Sequence, residues 1–299
     1  MQLIGTPTAH DVDQVHFTGR YAAYAGADTW YPSWSSDGDL YTPWTDGKVG
    51  SIRASSACAG AACMSTTGFA RVSGEDPFNL SIKDVGVFES SPSPYHGRYP
   101  SASLHYDGVW YYGTYALDNE NHEPGAAPEE SSESQAAGKH QTGGYCGNWC
   151  IQGPFVGFRW SRDGGKTWEE PRKTMANYSD NLFGEAAPNN RSKVKFGAPH
   201  VVDLGQNLAH QPNGASDPRL YLVGHGASAP MSPTSWMQGS EVYLARGRPD
   251  VERINDAAAW EFYAGNGSWS PGDVSRAKPL VSWGNRTGVT TITYIPAVK

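Results

Sequence analysis

The chain predicts an all-β fold, a β-propeller of four-stranded blades, and three observations carry that expectation. A phrase built around a proline returns along the sequence. Asp-Gly turns sit between runs of aromatic and β-branched residues, which is a strong hairpin signal. The composition is turn-rich, with 35 Gly, 21 Pro, 12% aromatic and only 18% charged residues among 299. That Gly and Pro content stays below the share that marks disordered low-complexity sequence. The chain is long enough to bury a substantial core.

The repeat comes first, because fixed internal phrases identify repeat architectures. The first phrase runs Tyr31-Pro-Ser-Trp-Ser-Ser-Asp-Gly-Asp-Leu-Tyr-Thr-Pro-Trp44. The second runs Tyr99-Pro-Ser-Ala-Ser-Leu-His-Tyr-Asp-Gly-Val-Trp-Tyr-Tyr-Gly-Thr-Tyr115. The third is Ala198-Pro-His-Val-Val-Asp203, resuming after an insertion as Arg219-Leu-Tyr-Leu-Val-Gly-His-Gly226. A fourth opens at Val289-Thr-Thr-Ile-Thr-Tyr294. Each supplies a short strand, a turn and a second strand, so 31–46, 99–116 and 198–226 are expected as successive inner hairpins.

Weaker hairpins fall between them. Phe155-Val-Gly-Phe-Arg-Trp160 turns through Ser161–Gly165 into Lys166-Thr-Trp168, and Glu241–Arg246 precedes Trp260–Tyr263. Inner hairpin plus outer hairpin makes one four-stranded blade. A two-sheet sandwich also uses short strands and turns, but does not repeat such a phrase. The count gives three blades and the first strand of a fourth. Residues 1–299 are therefore expected to form one propeller domain, five-bladed when complete. This chain would cover about three and a half blades and leave a sheet edge after Lys299.

Composition excludes other classes. No apolar run approaches the ~18 residues of a membrane span. The net charge is −7 with no Lys/Arg cluster, so no nucleic-acid partner and no membrane partner is expected. Met1–Pro7 lacks the basic and apolar regions of a signal peptide. Asn-x-Ser/Thr triplets at Asn79, Asn177, Asn190, Asn266 and Asn285, with few Lys and many Trp and Tyr, lean toward a secreted or periplasmic protein, and a monomer is expected.

Ser161-x-Asp163-x-Gly165-x-Thr167-Trp168 resembles the Asp-box of sialidase-type propellers. In that superfamily the motif is a structural turn on the outer part of a blade. Asp28-Thr-Trp-Tyr-Pro-Ser with Asp37-Gly-Asp-Leu-Tyr41, and Ser103–Tyr115, resemble inner strands of five-bladed glycosidases that act on furanosides and related sugars. Propeller lyases that cut uronic-acid glycans share the architecture. The resemblance therefore implies a glycan-active propeller and a poly- or oligosaccharide substrate without choosing the reaction.

The repeat also locates candidate chemistry. Four residues before each proline stand Asp28, His96 and Lys195, equivalent positions at the start of the innermost strand. The second strand returns to the same end at Asp46, at Tyr115 with Asp118, and at His225. An antiparallel hairpin brings its ends together, so Asp28 and Asp46 should be neighbours. A carboxylate pair suits glycoside hydrolysis, one protonating the leaving oxygen and the other attacking or activating water. Glu89, Glu185 and Glu241 are alternative acids. The plain alternative is a turn at Asp46-Gly47 and a cap at Asp28.

A lyase would use a cation against the uronate and a Tyr or His base. His96, Arg98, Tyr99, Tyr115, His200 and His225 supply that set. Asp28, Asp46, His96 and Arg98 are thus the catalytic candidates, with Trp30, Tyr99, Tyr115, Lys195, His200 and His225 as substrate contacts. Trp30, Trp34, Trp44, Trp110, Tyr111 and Tyr112 either stack on sugar or pack blade against blade. His105 is expected to face solvent, and His210 to lie in a solvated insertion. Cys58 with Cys63, and Cys146 with Cys150, are small-loop disulfides or free thiols; Cys146 and Cys150 with His122 or His140 are the weak metal candidates. No cofactor is required, and a structural metal ion is left open.

Overall fold

The computed structural model describes residues 16–56, 65–91, 97–118, 151–169, 181–185, 194–212, 214, 216–227 and 239–295. His96, His122, His140, the four cysteines and the 296–299 terminus lie outside them. The described residues are all-β, with three single-turn 3-10 segments as their only helical pieces.

Three antiparallel sheets carry the structure, an arrangement consistent with propeller blades. The first joins β1 (Ser33–Trp34), β2 (Leu40–Trp44), β5 (Ser65–Ser73) and β6 (Ser81–Ser91) in that order. A small hairpin of β3 (Gly47–Val49) and β4 (Ile52–Ala54) interrupts it. The second sheet orders β7 (Gly97–Tyr106), β8 (Val109–Asp118) and β9 (Ile151–Ser161). The third runs β10 (Gly197–Val201), β11 (Leu220–Gly226), β12 (Gly239–Gly247), β13 (Glu261–Gly265) and β14 (Ser268–Pro271), with β15 (Val281–Thr287) also on β12. The three phrases therefore form three hairpins in three separate sheets.

Turn chemistry explains the hairpins. Tyr106 pairs with Val109 across Asp107 and Gly108, whose φ values are 48° and 75°. Two left-handed central residues match the right-handed twist of the strands, and Asp-Gly tolerates them. Asn266 and Gly267 do the same between β13 and β14, at φ 51° and 76°.

Alternation along β8 packs the sheets on one another. Trp110 and Tyr112 face the first sheet, in a cluster with Tyr41 and Phe69. Val109 and Tyr111 face the other way, into the large core with Phe196, Leu220, Tyr243, Trp260 and Phe262 of the third-sheet region. Period-two alternation thus makes one strand serve two interfaces. Gly68 permits the first-sheet packing, because a Cβ there would meet the Trp44 ring at 2.1 Å.

The first strands of the sheets are fastened together. His105 N donates to Ser33 Oγ at 2.7 Å, and Ser101 Oγ donates to the Pro199 carbonyl. From the third sheet, Gln206 Nε2 reaches the Ser35 carbonyl.

Three expectations change. The 289–294 phrase forms no hairpin strand among the described residues; Asp203 and Thr293 make a single parallel bridge alongside the third hairpin. The strand after Ser161 shrinks to one bridge, Trp160 with Glu169. His105 is buried, not solvent-facing, because Tyr41 (4.8 Å) and stacked Trp110 (5.1 Å) hold its ring.

Candidate functional site

The starts of the three hairpins converge. Asp28 bridges to Thr45, its N donating to the Thr45 carbonyl at 2.8 Å and the return bond measuring 3.0 Å. This ladder step sets Asp28 beside the residue preceding Asp46. Both carboxylates are exposed. Thr29 N donates to Asp28 Oδ1 at 2.5 Å. Ser56 grips both oxygens of Asp46, its N donating to Oδ1 at 2.8 Å and its Oγ to Oδ2 at 2.6 Å.

Three tyrosines back this pair. Tyr115 is buried, packs on Ala198, and lies 5.8 Å from the Tyr99 ring. Burial, opposed in part by a Ser56 hydrogen bond and reinforced by the charges of Asp46 and Asp28, pushes Tyr99 up to about 12. Burial first, and then neighbouring Tyr31, Tyr99, Asp28 and Asp46, raise Tyr115 well above its ordinary value. Burial and Asp28 raise Tyr31 as well. The same two carboxylates therefore act on hydroxyls from the second hairpin, which places the first and second hairpins around one locus.

The third hairpin joins through His200, whose ring lies 4.2 Å from Tyr31. Burial and then His225 hold His200 down to about 3, so it is neutral at physiological pH. His225 is fully buried opposite Gly197 in the β10–β11 ladder. Beside Asp46 a groove of about 500 Å³ is lined by Asp46, Gly47, Arg53, Ala54, Ser55 and Thr66.

Three of the seven non-glycine residues with left-handed backbone among the described residues stand at this locus, the others, Leu208 included, lying in turns elsewhere. Thr29 sits at φ 57°, Asp46 at 50° and Ala198 at 41°. A β-branched residue in the left-handed region is a genuine outlier. Such strain persists only where the surroundings enforce it, and it is a feature of functional sites.

Asp28, Asp46, Tyr99, Tyr115 and His200 are thus brought together, with His225 beside His200. Trp30 stands next to them in sequence, but its ring is half-buried against Trp44 and its Nε1 donates to the Ala27 carbonyl. Lys195 is directed elsewhere. Its Nζ donates to the carbonyls of Val274, Ser275 and Ala277 at 3.2, 2.7 and 3.0 Å. Glu185 is buried and accepts from the backbone N of Lys195 and Phe196. Burial outweighs those bonds and lifts it to about 7. Glu241 accepts from the Tyr243 hydroxyl. Arg98 is placed by its backbone in β7, opposite Ala116. His96 and the weak metal candidates Cys146, Cys150 and His122 lie outside the described residues. Among the described residues no group of three or more His, Cys, Asp or Glu is gathered for a metal.

Tyr31, Ser56 and Thr29 are absent from the sequence-level candidates. For Tyr31 a signal existed. It and Tyr99 both precede the repeated proline, and Ala198 holds that place in the third phrase, where its small side chain admits Tyr115. Ser56 carries no motif at all.

No protein-family model matches the chain, and no curated protein matches it. Among solved structures, a "putative hydrolase" from Bacteroides ovatus ATCC 8483 shares 14% identity over 84% of this chain and 55% of its own, with a TM-score of 0.36. The Hadza microbial sialidase Hz136 shares 14% identity over 73% of this chain and 31% of its own, with a TM-score of 0.31. A Dyadobacter fermentans DSM 18053 protein of unknown function shares 11% identity over 82% and 69%, with a TM-score of 0.31. The chain thus spans about half of the first of these proteins and a third of the second.

Proposed function

We propose that residues 1–299 belong to a single glycan-active propeller domain that cleaves glycosidic bonds by hydrolysis, with Asp28 and Asp46 as the carboxylate pair. The three sheets are its blades. The observation that carries the reading is the Asp28–Thr45 ladder step, which sets two exposed carboxylates at one end of one hairpin. Glycoside hydrolysis needs two such groups in different environments. Ser56 fixes both oxygens of Asp46, so Asp46 is oriented to attack or to activate water. Asp28 has one oxygen held by Thr29 N, leaving the other to serve the leaving oxygen. Half-buried Tyr31 and Tyr99 offer their hydroxyls to sugar hydroxyls, and buried Tyr115 and neutral His200 pack behind them.

Elimination with a tyrosine base fits less well. A tyrosine base works best when its pKa is brought down toward neutrality. Here burial and the two aspartates push Tyr99 and Tyr115 the other way. Product analysis on a panel of polysaccharides separates the readings. Hydrolysis yields new reducing ends without ultraviolet absorbance, whereas elimination yields an unsaturated uronate that absorbs. Binding with neither product would make this a glycan-binding propeller.

A further inference from the structure

The β3–β4 hairpin bears a feature that the carboxylate pair does not use. Its ladder sets Lys48 directly opposite Arg53, between Gly47–Ala54 and Val49–Ile52. Residues directly opposite in an antiparallel pair project from the same face. Both cations are exposed, while Val49 and Ala54 are buried on the other face. Like charges in direct register are destabilising, so this pair weakens the hairpin that bears it.

A second cation pair in register shows how that cost is otherwise offset. Arg71 stands opposite Lys83 on β5 and β6, but Arg71 is neutralised by Asp37 and Asp39. Among the described residues, neither Lys48 nor Arg53 has an ion pair or a side-chain hydrogen bond. Arg53 also lines the groove that begins at Asp46, together with Ser55 and Thr66. The chain as a whole carries −7, so its overall field repels anions and any attraction must be local.

We propose that Lys48 and Arg53 form a subsite for an anionic substituent, a carboxylate, sulfate or phosphate group, on a glycan lying in the groove beside Asp46. This rests on the glycan-active reading above and specifies its substrate class. Arg53 presents a planar fork suited to such oxyanions, and Lys48 adds a point charge from the facing strand. The anion takes the place of the carboxylates that balance Arg71. The subsite selects which chain is held and takes no part in bond cleavage.

The test reads binding without turnover, on the D28N protein and on D28N/K48S/R53S. The probes are matched glycans that differ only in charge: polygalacturonate with its methyl ester, and dextran sulfate with dextran. The proposal expects D28N to hold the charged member of at least one pair about tenfold more tightly. That preference should fade as salt shortens the screening length. In the triple variant the preference should collapse to parity, while affinity for the uncharged member is retained. The melting temperature should be no lower, because a cross-strand repulsion is gone. The pair that shows the preference tells carboxylate from sulfate. A preference that survives K48S/R53S, or equal binding of charged and uncharged members by D28N, overturns the subsite. Failure of the hydrolase reading looks different, since the wild-type protein would release either no reducing ends or reducing ends together with an unsaturated uronate that absorbs in the ultraviolet, whatever the charge preference.

Discussion

Thr29 links backbone strain to the proposed chemistry. Its φ of 57° costs about 1–2 kcal/mol for a residue other than glycine, and its N–H holds one oxygen of Asp28. Glycine would relax that strain and loosen the aim of Asp28. Thr29→Gly should therefore leave the melting temperature equal or higher, while kcat falls roughly ten- to a hundredfold and KM changes less. Unchanged kcat would reduce Thr29 to a feature of the turn. His105 makes the opposite case, a polar residue with no evident task. Its Nε2 has no hydrogen-bond partner, and burial holds its pKa down to about 4 despite the charge of Asp37. A cation whose folded pKa lies below its unfolded value contributes stability above about pH 6.5, which is lost as pH falls. His105→Phe keeps the stacking on Tyr41 and Trp110, so urea titrations should show equal or greater stability at pH 7. They should also show a shallower loss between about pH 6.5 and 4.

Among the elements, the turn at 161–168 is the most completely wired. Asp163 accepts from the Thr167 hydroxyl at 2.7 Å, from Thr167 N at 2.9 Å and from Lys166 N at 3.1 Å, while Ser161 Oγ accepts from Gly165 N at 2.8 Å. The Thr167 hydroxyl leads the bonds that bring Asp163 down to about 2. The turn delivers Trp168 onto Phe69 of the first sheet and Trp110 of the second. Asp163→Ala should lower the melting temperature by a few degrees, on the order of 1 kcal/mol for an exposed carboxylate. Turnover per folded molecule should stay the same. The wild-type advantage should exist above about pH 4 and vanish toward pH 2, because a depressed carboxylate pKa stabilises only where the unfolded group is also ionised.

This turn was legible in the sequence because its residues bond to near neighbours. The first two phrase hairpins were legible for the same reason, with Asp107-Gly108 dictating its own turn, and the third through its repeat of the proline phrase. Long-range pairing was not. Lys195 shares its phrase position with Asp28, yet its four-carbon stem reaches the carbonyls of 274–277, which no local pattern announces. Glu185 reads as a free acid in sequence and is instead fixed under Lys195 and Phe196. Its folded pKa of about 7 exceeds the unfolded value. Its contribution should be most favourable below about pH 4.5 and be lost as pH rises toward 7, and Glu185→Gln should remove that slope from the stability profile.

At the scale of the whole molecule, the three sheets stack through faces that alternate along β8, and their first strands meet where Asp28, Asp46, Tyr99, Tyr115 and His200 converge. Stability alone does not explain a locus that combines exposed carboxylates, buried hydroxyls and strained backbone. The decisive measurement is the rate of reducing-end release by wild-type, D28N and D46N proteins on the glycan that the wild type cleaves best, read beside their melting temperatures. The account predicts that each substitution lowers the rate by about 10²–10⁴ while the melting temperature moves little, since Asn preserves volume and one acceptor oxygen. Rates that stay near wild type, or a loss of folding in place of a loss of turnover, would contradict it.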